Sequence, residues 1–173
     1  MTVRPILVAP DKRLKLRSNP VEVVDDEIRT LLSDMLETMY AGDGLGLAAI
    51  QIGVPKRAMV LDVHGPNEPP APMKLINPEI TWFSAERINY QEGCLSFPEY
   101  FADVERAAEV HVNYLDENGE AREIEASETF AVCLQHEIDH LDGKLFVDHL
   151  SLVKRNIILR KMAKAQRAKA IEA

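Results

Sequence analysis

Cysteine is scarce in this chain. Cys94 and Cys133 are the only two in 173 residues. Two thiols cannot build a disulfide framework, which excludes a small cross-linked secreted scaffold. Long hydrophobic runs are missing too: no stretch approaches the roughly 20 apolar residues that span a bilayer. The N-terminus, Met1-Thr2-Val3-Arg4-Pro5, has neither a long apolar core nor a small-residue cleavage site. The expectation is a cytoplasmic protein with no membrane partner, a monomer by default. Repeats and low-complexity segments are absent as well. Positive charge is in deficit, with a net charge of -8. It is unevenly spread: residues 151–173 hold seven basic residues against one acid, and the preceding 150 hold 13 basic and 27 acidic. An acidic body excludes DNA as a partner, whereas the basic tail is suited to an anionic surface.

What is present is a motif. His136-Glu137-Ile138-Asp139-His140 reads H-E-x-x-H. Residues four apart lie one above the other on a helix, so two imidazoles can reach one metal ion. The Glu between them is placed to handle the proton of a water at that metal. The pattern points to metal-assisted hydrolysis. The preceding run, Phe130-Ala131-Val132-Cys133-Leu134, is apolar nearly all round and predicts a buried helix. Ser127 is its expected N-cap and Gly143 its expected terminator.

A catalytic divalent site usually takes three protein ligands. Downstream, Phe146 stands where one protease class has its third His. Asp142 and His149 rank below an upstream candidate, Cys94, in the turn-like stretch Glu92-Gly93-Cys94-Leu95-Ser96-Phe97-Pro98. A thiolate with two imidazoles makes a soft, mixed donor set suited to Fe(II) and to Zn(II).

The remaining elements follow from periodicity. Asp25 or Asp26 caps a helix to about Tyr40, with Ile28, Leu31, Leu32, Met35, Leu36 and Met39 at helical spacing. Strands are predicted over 57–63, 73–80, 82–90, 109–115 and 122–126, with Asp116-Glu117-Asn118-Gly119 as a hairpin turn. The proline-rich residues 65–72 form a loop. Lys144 to Val147 reads as a short extended piece, and a last helix starts near Ser151. The glycine-rich segment 42–53 breaks any helix and lets backbone approach a ligand. The fold class is α+β: antiparallel strands around a central helix carrying H-E-x-x-H, with N- and C-terminal helices. Residues 1–150 are expected as one catalytic domain and 151–173 as its basic helical extension.

Three blocks, Gly44-Leu45-Gly46-Leu47-Ala48-Ala49-Ile50-Gln51, Glu92-Gly93-Cys94-Leu95-Ser96 and Gln135-His136-Glu137-Ile138-Asp139-His140, resemble in order and spacing the three signature motifs of the peptide deformylases. That resemblance implies a metal-dependent hydrolase that removes the N-formyl group from the initiator Met of nascent polypeptides and releases formate. It implies that Cys94, His136 and His140 hold the metal and that Glu137 moves the proton. The Gln51 amide and the Leu95 N–H would stabilise the oxyanion. Leu45, Gly46, Tyr90, Val132 and Cys133 would contact substrate, and a Glu92–Arg106 ion pair would steady the Cys94 loop. Fe(II) is the implied metal, with Zn, Ni or Co as alternatives. In one class of the family a C-terminal helix docks on the ribosome near the exit tunnel, which makes residues 154–169 a candidate ribosome contact. Two other readings compete: a metalloendopeptidase, which needs a third ligand after His140, and a non-catalytic ribosome-associated metal protein, which would not need Glu137.

Overall fold

In a computed structural model, residues 2–172 are described. Helix α1 spans Asp26–Ala41, and the Asp25 carboxylate caps it by accepting the Ile28 N–H at 3.0 Å. Its buried Ile28, Leu31, Leu32, Met35 and Met39 fall three and four apart, one stripe of a 3.6-residue helix. Strands β1 (Gly46–Ala48), β2 (Ala58–Leu61), β3 (Met73–Phe83), β6 (Glu109–Leu115) and β7 (Ala121–Ser127) form one antiparallel sheet in the order β1-β2-β3-β6-β7. β4 (Arg87–Cys94) and β5 (Phe97–Ala107) make a separate hairpin.

Both faces of the five-stranded sheet are covered, and the sequence of β2 explains how. Ala58 and Val60 pack with α1, while Met59 and Leu61 point the other way into a core shared with α2 (Glu128–Leu141). Alternate strand residues face opposite sides, so a strand covered on both reads as an unbroken apolar run. A third cluster joins Phe97 and Val104 of β5 to Leu145, Phe146, Val147 and Met162. Helix α2 therefore lies between the sheet and the hairpin, with nine of its 14 residues buried.

Gly143 ends α2 at φ +74°, where a Cβ would stand 2.4 Å from the Lys15 carbonyl oxygen. Only glycine fits there. The Ser18 N–H (2.8 Å) and the Arg57 guanidinium (3.0 Å) both donate to the Leu141 carbonyl, satisfying an orphan acceptor of the last turn.

Four expectations need correction. Ser127 stands at the N-cap of α2, but its side chain makes no capping bond; Glu128 follows at φ +53° and breaks the usual entry. β3 runs on to Phe83, so Trp82 belongs to it and the next strand starts at Arg87. Residues 97–107, read as the end of a turn, form a strand of 11 residues made by its pairing with β4. Phe146–His149 is a turn of 3-10 helix, not an extended piece. Helix α3, Leu152–Glu172, starts within a residue of its expected place, and Met162 is its one buried residue.

Candidate metal centre

Cys94 ends β4 and pairs with Phe97 across a two-residue turn, so its thiol projects from the hairpin towards α2. His136 and His140 are one helical turn apart on α2, with ring centroids 5.1 Å apart. Cys94 Sγ lies 3.3 Å from His140 Nε2, and one donor atom from each of the three residues lies within 4.8 Å of the others. His136 Nδ1 contacts Glu92 Oε1 at 2.8 Å, which leaves Nε2 as its donor. The two lower-ranked candidate ligands are engaged elsewhere. His149 contacts Asp139 at 2.8 Å, and Asp142 pairs with Arg57 at 3.0 Å.

These residues fit a divalent cation. A thiol and two imidazoles, all largely buried, converge on one point with donors suited to a soft or borderline metal. Glu137 Oε2 is buried beside them with no hydrogen-bond partner in the protein. A polar atom left so would be costly without a ligand to meet it.

The electrostatics are graded by burial. Burial raises the Glu137 carboxyl to about 7, the neighbouring His136 pulling the other way. Burial likewise pushes the Cys133 thiol up to about 12, which keeps it protonated. Burial alone would raise Glu92, but hydrogen bonds from Arg106 and then His136 outweigh it and hold its carboxyl below the usual range. Arg106 reaches Glu92 through two nitrogens at 2.6 and 2.9 Å and Asp139 through a third at 2.7 Å. Both Arg106 and Glu92 are only 3% exposed.

Gln51 is buried, and its orientation is fixed from both ends. Its Oε1 accepts the Ala48 N–H at 2.9 Å, so its Nε2 faces Ser96 Oγ at 3.1 Å and Cys94 Sγ at 3.5 Å. Leu95 occupies the turn beside Cys94. Its side chain rests on Gly42 and Gly44, where a Cβ at Gly44 would come within 2.7 Å of it.

Leu45, Gly46, Gln51, Tyr90, Glu92, Leu95, Val132 and Cys133 line one cavity of about 510 Å³ with Cys94, His136 and Glu137. Arg106 does not line it; it sits behind Glu92 and borders a second cavity of about 690 Å³. The larger cavity holds none of the three donors, so chemistry rather than volume selects the site. Sequence reasoning did not anticipate Ser96, the Glu92–His136 contact, the Asp139–Arg106–His149 cluster or exposed Phe101 at the cavity. A polar residue buried in a hairpin turn leaves no periodic trace. The only available signal was the density of charged residues in an otherwise apolar helix and hairpin.

Residues 3–156 match the profile of the polypeptide deformylase family. The chain is 54% identical over 168 residues to the peptide deformylase of Phenylobacterium zucineum, covering 97% of this chain and 99% of that one. It is 50% identical to that of Rhizobium meliloti over 173 residues, covering 100% and 99%. The crystal structure of peptide deformylase from Ehrlichia chaffeensis superposes with a TM-score of 0.93 at 44% identity, covering 98% of this chain and 99% of that one.

The chain belongs to the peptide deformylase family.

It is a hydrolase that removes the N-formyl group from nascent polypeptides. Peptide deformylases carry a catalytic metal ion, and Cys94, His136 and His140 form a possible site for it here. The α+β fold, with H-E-x-x-H on its central helix, is that of the deformylase structures. No helix among the described residues is long and apolar enough to cross a membrane.

Proposed function

We propose that Cys94, His136 and His140 hold the metal of this deformylase and that Glu137 moves its proton. The convergence of those three donors on one point carries the reading. Bound there, the ion supplies Lewis-acid polarisation and eases ionisation of water near neutral pH. Glu137, with a carboxyl raised to about 7, is matched to taking a proton from the attacking water at neutral pH. It then delivers that proton to the amine as the formyl C–N bond breaks. The Gln51 Nε2 and the Leu95 N–H donate to the oxygen that gains charge at the formyl carbon; one such donor contributes ~3–4 kcal/mol to lowering the barrier. Glu92 fixes the tautomer and orientation of His136, and Arg106 steadies Glu92.

β1 is an edge strand of the main sheet, which suits addition of the substrate backbone alongside Gly46. The cavity by Leu45, Tyr90, Val132 and Cys133 takes the Met side chain. Fe(II) is the resident metal in this reading, ahead of Zn, Ni and Co, because a thiolate in the donor set and a reducing cytoplasm both suit it.

Residues 1–150 form the catalytic domain, and 151–173 are its basic extension. That helix presents Lys154, Arg160, Lys161, Lys164, Arg167 and Lys169 and buries only Met162. This supports docking on the ribosome near the exit tunnel, by contacts with RNA phosphates. Unchanged co-sedimentation of a chain lacking residues 151–173 at low salt would remove the idea.

The activity test is formate release from formyl-Met-Ala-Ser, with Glu137→Gln as control. Release by wild type and its loss in the variant are expected. Equal release by both would overturn the role of Glu137.

A further inference from the structure

Most polar groups of the site are held by hydrogen bonds. Gln51 is fixed at both ends of its amide, and His136 is fixed through Nδ1. Glu137 is different, since nothing in the protein bonds its Oε2. Its position must come from what it packs against, and the nearest wall is the backbone of Gly46.

A Cβ built on Gly46 would stand 2.8 Å from Glu137 Oε1, 2.9 Å from Glu137 Cγ and 2.9 Å from Leu61 Cδ2. Three collisions from two residues leave no direction in which one rotation relieves them all. The backbone conformation itself does not demand glycine. Positive φ among the glycines occurs at Gly53, Gly119 and Gly143, not at Gly46. The missing side chain is therefore a matter of space.

Nor can the wall retreat. Gly46, Leu47 and Ala48 pair with Leu61, Val60 and Met59. The Asp62 N–H donates to the Leu45 carbonyl at 2.9 Å, and the buried Asp62 carboxylate is itself held by the Tyr40 hydroxyl, His64 Nδ1 and the Ala71 N–H. The Ala48 N–H is tied to Gln51. Strand β1 is anchored on both sides of Gly46, so added volume must move the carboxylate.

We propose that Gly46 is a positioning residue for Glu137: its bare Cα is the wall that sets where the carboxylate stands. The first glycine block and the H-E-x-x-H helix then act as a matched pair, quite apart from any backbone contact Gly46 makes with substrate. The proposal rests on Glu137 as the proton carrier.

A double-mutant cycle on formyl-Met-Ala-Ser tests it, with metal content and thermal midpoint measured for each variant. Gly46→Ala keeps the N–H and C=O that a substrate strand would use. It is expected to lower kcat ~10- to 100-fold with KM within ~3-fold, the effect of misplacing a reacting group by about 1 Å. Metal content should hold, because no proposed ligand is touched. Glu137→Asp alone withdraws the carboxylate by one methylene and lowers kcat. In Gly46→Ala/Glu137→Asp the added methyl meets a shorter side chain. The combined loss should then be at least ~5-fold smaller than the product of the single losses, since neighbours in contact are not additive.

Losses that multiply, or an unchanged kcat in Gly46→Ala, would overturn the proposal. Full activity of Glu137→Asp and Glu137→Gln would instead overturn the role of Glu137 and leave the wall without a catalytic purpose. Should Gly46→Ala fail to fold, Gly46→Ala/Leu61→Val, which removes the Leu61 contact, carries the same cycle: losses smaller than their product support the wall, and losses that multiply overturn it.

Discussion

Helices α2 and α3 are held in opposite ways. α2 buries nine of 14 residues between a sheet and a hairpin, and its charged positions are tied into Arg106, Glu92 and Arg57. α3 buries one of 21 and makes its main packing with the 3-10 turn before it. The first is positioned by tertiary packing and the second largely by its own Ala, Lys, Arg and Leu content. A helix that must hold two imidazoles to a fraction of an ångström needs the first arrangement. A helix that presents charge to a partner can be of the second kind.

The comparison is broken most severely by Cys94→Ser. It leaves α2 in place but removes one of the three proposed donors, so metal content by elemental analysis should fall to the buffer blank and formate release with it. Retention of stoichiometric metal would transfer the third-ligand role elsewhere. Arg106→Ala should come next. It strands the buried Glu92 carboxylate and costs about 3–5 kcal/mol in urea unfolding, the size expected for breaking a buried pair. It should also weaken metal binding by roughly 10- to 100-fold through His136.

Within α3 the contrast can be sharpened. Met162→Ala should destabilise by about 2 kcal/mol, at the low end for a buried Met. Ile171→Ala, at an 86% exposed position, should stay within ~0.5 kcal/mol. Equal effects would show that the tail packs as a whole.

The smallest effect concerns alkaline pH. Burial, then the hydrogen bond to Asp62, raises the Tyr40 hydroxyl to about 12. An ordinary Tyr titrates near ~10. A raised folded value means the contribution is complete below about 10 and is lost as pH climbs towards 12. Urea midpoints taken from pH 9 to 11.5 should therefore fall less steeply in Tyr40→Phe than in wild type, and parallel slopes would sink this account.

Legibility in the sequence followed the physics of each element. α1 could be read because one face is apolar at helical spacing, and Asp25 supplied its cap. β6 and its hairpin turn could be read because alternation and turn chemistry agree. β5 could not: Pro98, Glu99 and Asp103 hide its period, and its extension is imposed by β4. Two of the three donors are written four residues apart on one helix. Their meeting with Cys94, more than forty residues earlier, depends on a hairpin packing over α2, which no local pattern encodes. The Asp62 hub with Tyr40, His64 and Ala71 was invisible for the same reason.

The opening residues of the chain tie its far parts together. The Leu7 N–H donates to the Gln51 carbonyl, the Ala9 N–H to the Ser96 carbonyl and the Ser18 N–H to the Leu141 carbonyl. The residues made first are thus stitched to the helix completed last before the tail. While its own synthesis is under way this enzyme has no finished pocket, so it must leave the ribosome before it can trim another chain emerging there, and its own formyl cap falls to a copy made earlier.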